Sequence, residues 1–131
     1  MMWWQSTVND TYGHHAGDKV LKQFADILKH SSRKEDLAAR WGGEEFIVLM
    51  PHTAAEKGRK LAERVRCEME NSTCPGVDRT VTVSVGVAQW EEGMSDAQDL
   101  VALADKALYS AKENGRNRVV VATDESLLGQ G

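Results

Sequence analysis

The sequence predicts an α/β fold, an α+β sandwich in which helices flank a central mixed sheet. Three observations lead there. Three stretches carry apolar residues at three- and four-residue spacing, short β-branched or aromatic runs lie between them, and one run, Val81 to Ala88, alternates strictly between bulky and small side chains. The resulting order of helix, hairpin, helix, strand, helix, strand suits a sheet covered by helices.

Met1 to Ser6 is an unusual opening, apolar at Met-Met-Trp-Trp, and reads as a strand end or as sequence foreign to the domain. Val8 to Asp18 is dense in turn and capping residues and reads as a loop. No full strand is evident before Asn9, so the sheet is expected to lack its first strand. The first helix starts at Asp18, whose acid suits the positive helix end, and runs to about Lys29 on Val20, Leu21, Phe24, Ala25 and Leu28.

Leu37–Trp41 and Phe46–Met50 are too short and too β-branched or aromatic for helices, and Gly42-Gly43 between them reads as a tight hairpin. Pro51 closes the second strand. A second helix is expected from about Ala54 to Met69, with Gly58 permitting close packing. After a loop at Asn71 to Arg79, the small face of the Val81–Ala88 strand would admit a helix or a ligand. The third helix spans Asp96 to Glu113 and ends at Gly115, a last strand follows at Val119 to Ala122, and residues 124–131 read as a frayed tail.

At 131 residues the chain is one domain, able to bury a core without disulfides or metals. A net charge of −4 and a pI near 5.5 argue against nucleic acid as a partner. Cys67 and Cys74 form no CxxC pair and have no His at zinc-finger spacing, so a reduced, cytoplasmic setting is expected. The apolar runs are too short to span a membrane, and the N-terminus lacks a signal-peptide pattern.

The hairpin carries the most suggestive chemistry. Adjacent strand residues leave on opposite faces, so Glu44 and Glu45 cannot both enter the core. Two acids beside bare glycine backbone suit a phosphate ester bound with Mg²⁺, which bridges carboxylates and phosphates. On spacing alone they suit a polar hairpin tip equally well.

Asn9-Asp10-Thr11-Tyr12-Gly13-His14 with Gly17-Asp18, then Arg40 to Phe46, Ser84 to Ala88 and Ala111 to Asn117, occur in one order and at one set of separations. Together they resemble the GGDEF family of bacterial diguanylate cyclases over residues 8–122. The resemblance implies a nucleotidyl-cyclase-like fold that condenses two GTP into cyclic di-GMP, one GTP on each protomer of a homodimer. By position it implies guanine recognition by Asn9 and Asp18, phosphate contact at Gly42, Gly43, Lys112 and Arg116, and catalysis and Mg²⁺ binding at Glu44 and Glu45. It further implies an inhibitory cyclic di-GMP site at Arg33, Asp36 and Arg64. Taken singly, Asn9 reads as a turn residue, Asp18 as a helix cap and the Lys112–Arg116 pair as solvated charge.

The sequence departs from the family at its start. The family's metal-binding Asp falls at Met1 and its phosphate-binding Lys at Ser6. Neither side chain substitutes: a thioether is a poor ligand for Mg²⁺ and a hydroxyl carries no charge. The chain is therefore expected to cyclise GTP poorly, leaving a cyclic di-GMP receptor as the alternative. The missing strand is expected to leave a gap for Met2, Trp3 and Trp4, or for a second chain through strand exchange.

Overall fold

The chain's structure, a computed structural model, describes residues 2–10, 17–72 and 81–122, with the backbone alone at Asn9 and Asp10. Its elements are β1 (Met2–Asp10), α1 (Asp18–Ser31), β2 (Leu37–Gly42), β3 (Glu45–Met50), α2 (Ala55–Glu70), β4 (Val81–Gln89), α3 (Ala97–Glu113) and β5 (Val119–Val121). The strand order is β2-β3-β1-β4-β5. All neighbours are antiparallel except β4 and β5, so the sheet is mixed. The expected tail at 124–131, most of the loop at 71–79, and the stretch 11–16 lie outside the described residues.

The expectation of a missing first strand is overturned. Met2 to Asp10 is the central strand, paired along its length with β4 and from Met2 to Thr7 with β3. Val8, Asn9 and Asp10, read above as loop, belong to it. The physical reason lies on its two faces. Met2, Trp4 and Val8 are fully buried beneath α1 and α2. Two of the polar residues between them, which argue against a core strand in isolation, have partners far along the chain: Gln5 donates to the Asp105 carboxylate of α3, and Ser6 Oγ donates to the Phe46 carbonyl at 3.3 Å. No gap remains for strand exchange to fill.

Apolar burial sets the layers. Phe24 and Leu28 of α1 and Ala62, Val65 and Met69 of α2 pack on Trp4, Val48, Val83, Val85 and Val87. On the other face Leu100, Ala104 and Ala107 of α3 pack on Ala88 and Ala122. The small face of β4 admits the helix: a Cβ at Gly86 would lie 2.3 Å from Leu108 N and 2.4 Å from Ala104 O. Gly58 has a similar role, for a Cβ there would press on the Met2 side chain at 2.8 Å. Asp96 caps α3, accepting from Gln98 N at 2.9 Å.

Candidate functional site

The hairpin turns one residue later than Gly42-Gly43 suggests. Gly42 ends β2, and Gly43 and Glu44 form the turn. Arg40 pairs with Phe46 and Gly42 with Glu45, leaving Trp41 as an extra residue that shifts the register. Gly43 takes φ 44°, a conformation that glycine adopts without a Cβ clash. Arg40 braces the turn, its Nε and Nη2 donating to the Gly43 carbonyl at 2.9 and 2.6 Å. The Val8 N–H donates to the Glu44 carbonyl at 3.0 Å. A Cβ at either glycine would meet nothing within 4 Å, so the main chain here is open to a ligand.

Topology brings the basic pair to the same end. Glu45 is paired with Thr7, and Thr7 with Ser84, so the three side chains form a row on the α3 face. Leu108 of α3 sits over Gly86. Lys112 lies one helical turn farther along, ~5.4 Å, and Ser84 lies two residues along β4 in the same direction, ~6.6 Å. Lys112 is therefore level with that row, offset from Glu45 along the plane of the sheet by about two strand spacings. The loop beyond it returns to β4 where Val85 N–H donates to the Arg118 carbonyl at 2.9 Å, which holds Arg116 at this end too. Neither Lys112 nor Arg116 has an ion pair among the described residues.

Asp18 is the first residue of α1 and is exposed. Gly17, not Asp18, occupies the N-cap position, so its carboxylate is not committed to capping. It lines a cleft of about 350 Å³ between α1 and β2, together with Leu21, Arg40 and Phe46. Asn9 stands on β1 opposite Thr82, and its side chain lies outside what is described.

Arg33, Asp36 and Arg64 meet at the opposite end of the sheet, in a cleft of about 220 Å³. Arg33 Nη2 donates to Asp36 Oδ1 at 3.0 Å, and the same guanidinium donates to Thr53. That bond to Asp36 outweighs desolvation and holds the Arg33 guanidinium above its already high ordinary pKa, with the charges of Asp36 and Glu35 adding lesser contributions. The Asp36 side chain is fully buried while 43 % of Arg33 is exposed, so Asp36 fixes the guanidinium and leaves a face of it open. Lys57 and Lys60 line the same cleft. The sequence reading missed them, yet Lys57, Lys60 and Arg64 recur at three and four, one stripe of α2.

Two adjacent carboxylates fit a Mg²⁺ that arrives on nucleotide phosphates, since Mg²⁺ commonly uses one or two acids plus phosphate oxygens. They do not make a self-sufficient site. Among the described residues no three His, Cys, Asp or Glu gather as metal ligands, and opposite Glu45 the central strand offers the Thr7 hydroxyl. Ser6 is buried in the α1–α2 core and has no access to phosphate. Met1 lies outside the described residues.

The family model described as "Diguanylate cyclase, GGDEF domain" matches residues 6–118. Diguanylate cyclase A of Treponema denticola is 46 % identical over 117 residues, which are 88 % of this chain and 32 % of that protein. The chain spans a third or less of the curated relatives it matches first. The structure of the active GGEEF domain of a diguanylate cyclase from Vibrio cholerae superposes with a TM-score of 0.82 at 27 % identity, covering 95 % of this chain and 85 % of that one. The GGDEF domain of DgcB from Caulobacter crescentus, solved in complex with c-di-GMP, gives 0.78 at 29 % identity over 92 % and 78 %. The mixed five-stranded sheet, the three helices and the hairpin thus have counterparts in sequence and in shape, and the chain belongs to the GGDEF family of diguanylate cyclases, which are nucleotidyltransferases.

Proposed function

We propose that the hairpin end is one GTP half-site of a diguanylate cyclase and that the basic cleft at the far end takes cyclic di-GMP. The observation that carries the reading is convergence. Asp18, the open Gly42-Gly43 backbone, Glu44, Glu45, Lys112 and Arg116 come from three separate stretches and gather at one end of the sheet. A carboxylate at Asp18, joined by the Asn9 amide, pairs with the N1–H, N2–H and acceptor edge of guanine. Backbone N–H groups at the turn and the Lys112 and Arg116 cations receive phosphate oxygens.

In the reaction each 3′-oxygen bonds to the α-phosphorus of the other GTP as the bond from that phosphorus to pyrophosphate breaks, twice over. On this reading the Glu44 carboxylate takes the hydroxyl proton, and Glu45 extends the acidic edge toward the phosphates. Mg²⁺, held by the two acids and the nucleotide, would oppose the charge growing on the leaving pyrophosphate. Two antiparallel half-sites require two copies, so the active form is a homodimer, placed in the cytoplasm with its substrate.

A second reading has its own support. With Thr7 opposite Glu45 and Ser6 buried, the described side chains of the central strand, Met2 to Val8, supply neither a third acid nor a cation. On this reading the chain binds both nucleotides and turns GTP over slowly, as a cyclic di-GMP receptor.

Calorimetric titration with GTP plus Mg²⁺ and separately with cyclic di-GMP, followed by chromatography for product, tests both. Both nucleotides are expected to bind, at different ends. Arg33→Ala should weaken cyclic di-GMP at least about tenfold, the usual effect of removing one charge-assisted hydrogen bond, with GTP affinity unchanged. Glu44→Gln should remove about tenfold of the Mg²⁺-dependent gain in GTP affinity. Rapid product formation by the unaltered chain would overturn the receptor reading, and failure to bind either nucleotide would overturn both.

A further inference from the structure

The turn that carries Arg116 is built in an unfavourable backbone conformation. Gly115, Arg116 and Asn117 follow one another at φ 118°, 62° and 44°. Glycine takes such angles freely and asparagine tolerates them, but arginine does not favour them, and they persist only where the surroundings enforce them.

Every polar backbone group of Arg116 is tied down. Its N–H donates to the Ala111 carbonyl at 2.9 Å, and its carbonyl accepts from Arg118 Nε at 3.0 Å. The next residue is held from outside the turn. Asn117 Oδ1 accepts from Arg66 Nη1 at 3.0 Å, and Asn117 Nδ2 donates to the Glu70 carboxylate, both one turn apart on α2. Arg66 is itself fixed by Glu63, which accepts from Nε and Nη2 at 3.2 and 3.1 Å, and sits 3.7 Å from Glu70. Both ends of a single amide are thus gripped by a helix on the opposite side of the sheet from α3, while the Arg116 side chain has no such anchor among the described residues.

A helix C-terminus and β5 could be joined without this clasp. Its effect is to fix where the Arg116 guanidinium leaves the backbone. We infer that Asn117 is a positioning residue for the phosphates of GTP: the Arg66–Asn117–Glu70 clasp holds the left-handed turn that presents Arg116 at the hairpin end. The inference rests on the reading of Arg116 as a phosphate contact.

The test compares GTP plus Mg²⁺ with guanosine, which has the base and no phosphates, on the full chain by calorimetry. Asn117→Gly keeps the backbone free to adopt its angle and removes both amide bonds. It should lose about tenfold in GTP affinity, the order expected when one charged group is misplaced, with guanosine affinity unchanged. Arg66→Ala should show the same selective loss and Arg66→Lys should recover part of it, which keeps the test decisive if Asn117→Gly proves unstable by thermal melting. Should Arg116→Ala weaken GTP while Asn117→Gly and Arg66→Ala do not, the clasp has no positioning role and the phosphate reading stands. Arg116→Ala binding GTP as the unaltered chain does would remove the phosphate reading and this inference with it. Equal losses for GTP and guanosine would mean a general structural role and would also overturn it.

Discussion

Trp4→Ala should destabilise the domain by about 3–5 kcal/mol, the usual cost of truncating a buried Trp, a large fraction of the total stability of about 5–15 kcal/mol usual for a domain. Trp4 is fully buried at the centre of the sheet, between Val48 of β3 and Val87 of β4. The substitution separates two pictures of the N-terminus. An apolar start packed loosely over a gap would lose little, because its indole could be replaced by solvent. A central strand between two partners loses core volume that neither neighbour can fill. Trp4→Phe should cost far less, since the indole N–H has no hydrogen-bond partner in the core and its removal relieves an uncompensated desolvation. Urea unfolding of the three chains checks both expectations, and a Trp4→Ala chain as stable as the unaltered one would remove β1 from the core.

The same residue marks where the sequence was hard to read. Helices α1, α2 and α3 were legible within two residues at each end, because each buries a continuous 3.6-period stripe and propensity agrees with packing. Strand β4 was legible because its two faces differ in size along its whole length. β1 was not, because Gln5, Ser6 and Thr7 interrupt its apolar pattern, and what satisfies the first two, Asp105 and the Phe46 carbonyl, lies 100 and 40 residues away. The hairpin was legible as a hairpin, but the extra residue at Trp41 that moves its turn belongs to the pairing and not to either strand alone. The site divides likewise. Residue types at Glu44, Glu45, Lys112 and Arg33 carry their chemistry in the sequence. Their sorting to two ends depends on strand order, and the Asn117 clasp depends on α2 approaching the loop before β5.

Gly86→Ala should be the most damaging methyl addition among the described glycines, and its consequence should reach the nucleotide. The added Cβ would stand 2.3 Å from Leu108 N, 2.4 Å from Ala104 O and 2.9 Å from Ala107 C. All three are backbone atoms of α3, so no side chain can rotate away and the helix itself must lift. Overpacking typically costs about 1–3 kcal/mol, and with backbone on the receiving side about 3 kcal/mol or more is expected. Gly86 is two residues from Ser84 on β4, and Leu108 is one turn from Lys112. A lift of α3 by about 1 Å therefore carries Lys112, and the turn bearing Arg116, away from the hairpin, and a displacement of that size can cost up to about a hundredfold where charged groups must meet. In chains still folded at low temperature, Gly86→Ala should weaken GTP more than guanosine and leave cyclic di-GMP, at the Arg33 end, close to its unaltered affinity. Equal weakening of all three ligands would mean that the substitution acts by unfolding alone, and that the two ends of the sheet are not mechanically separate.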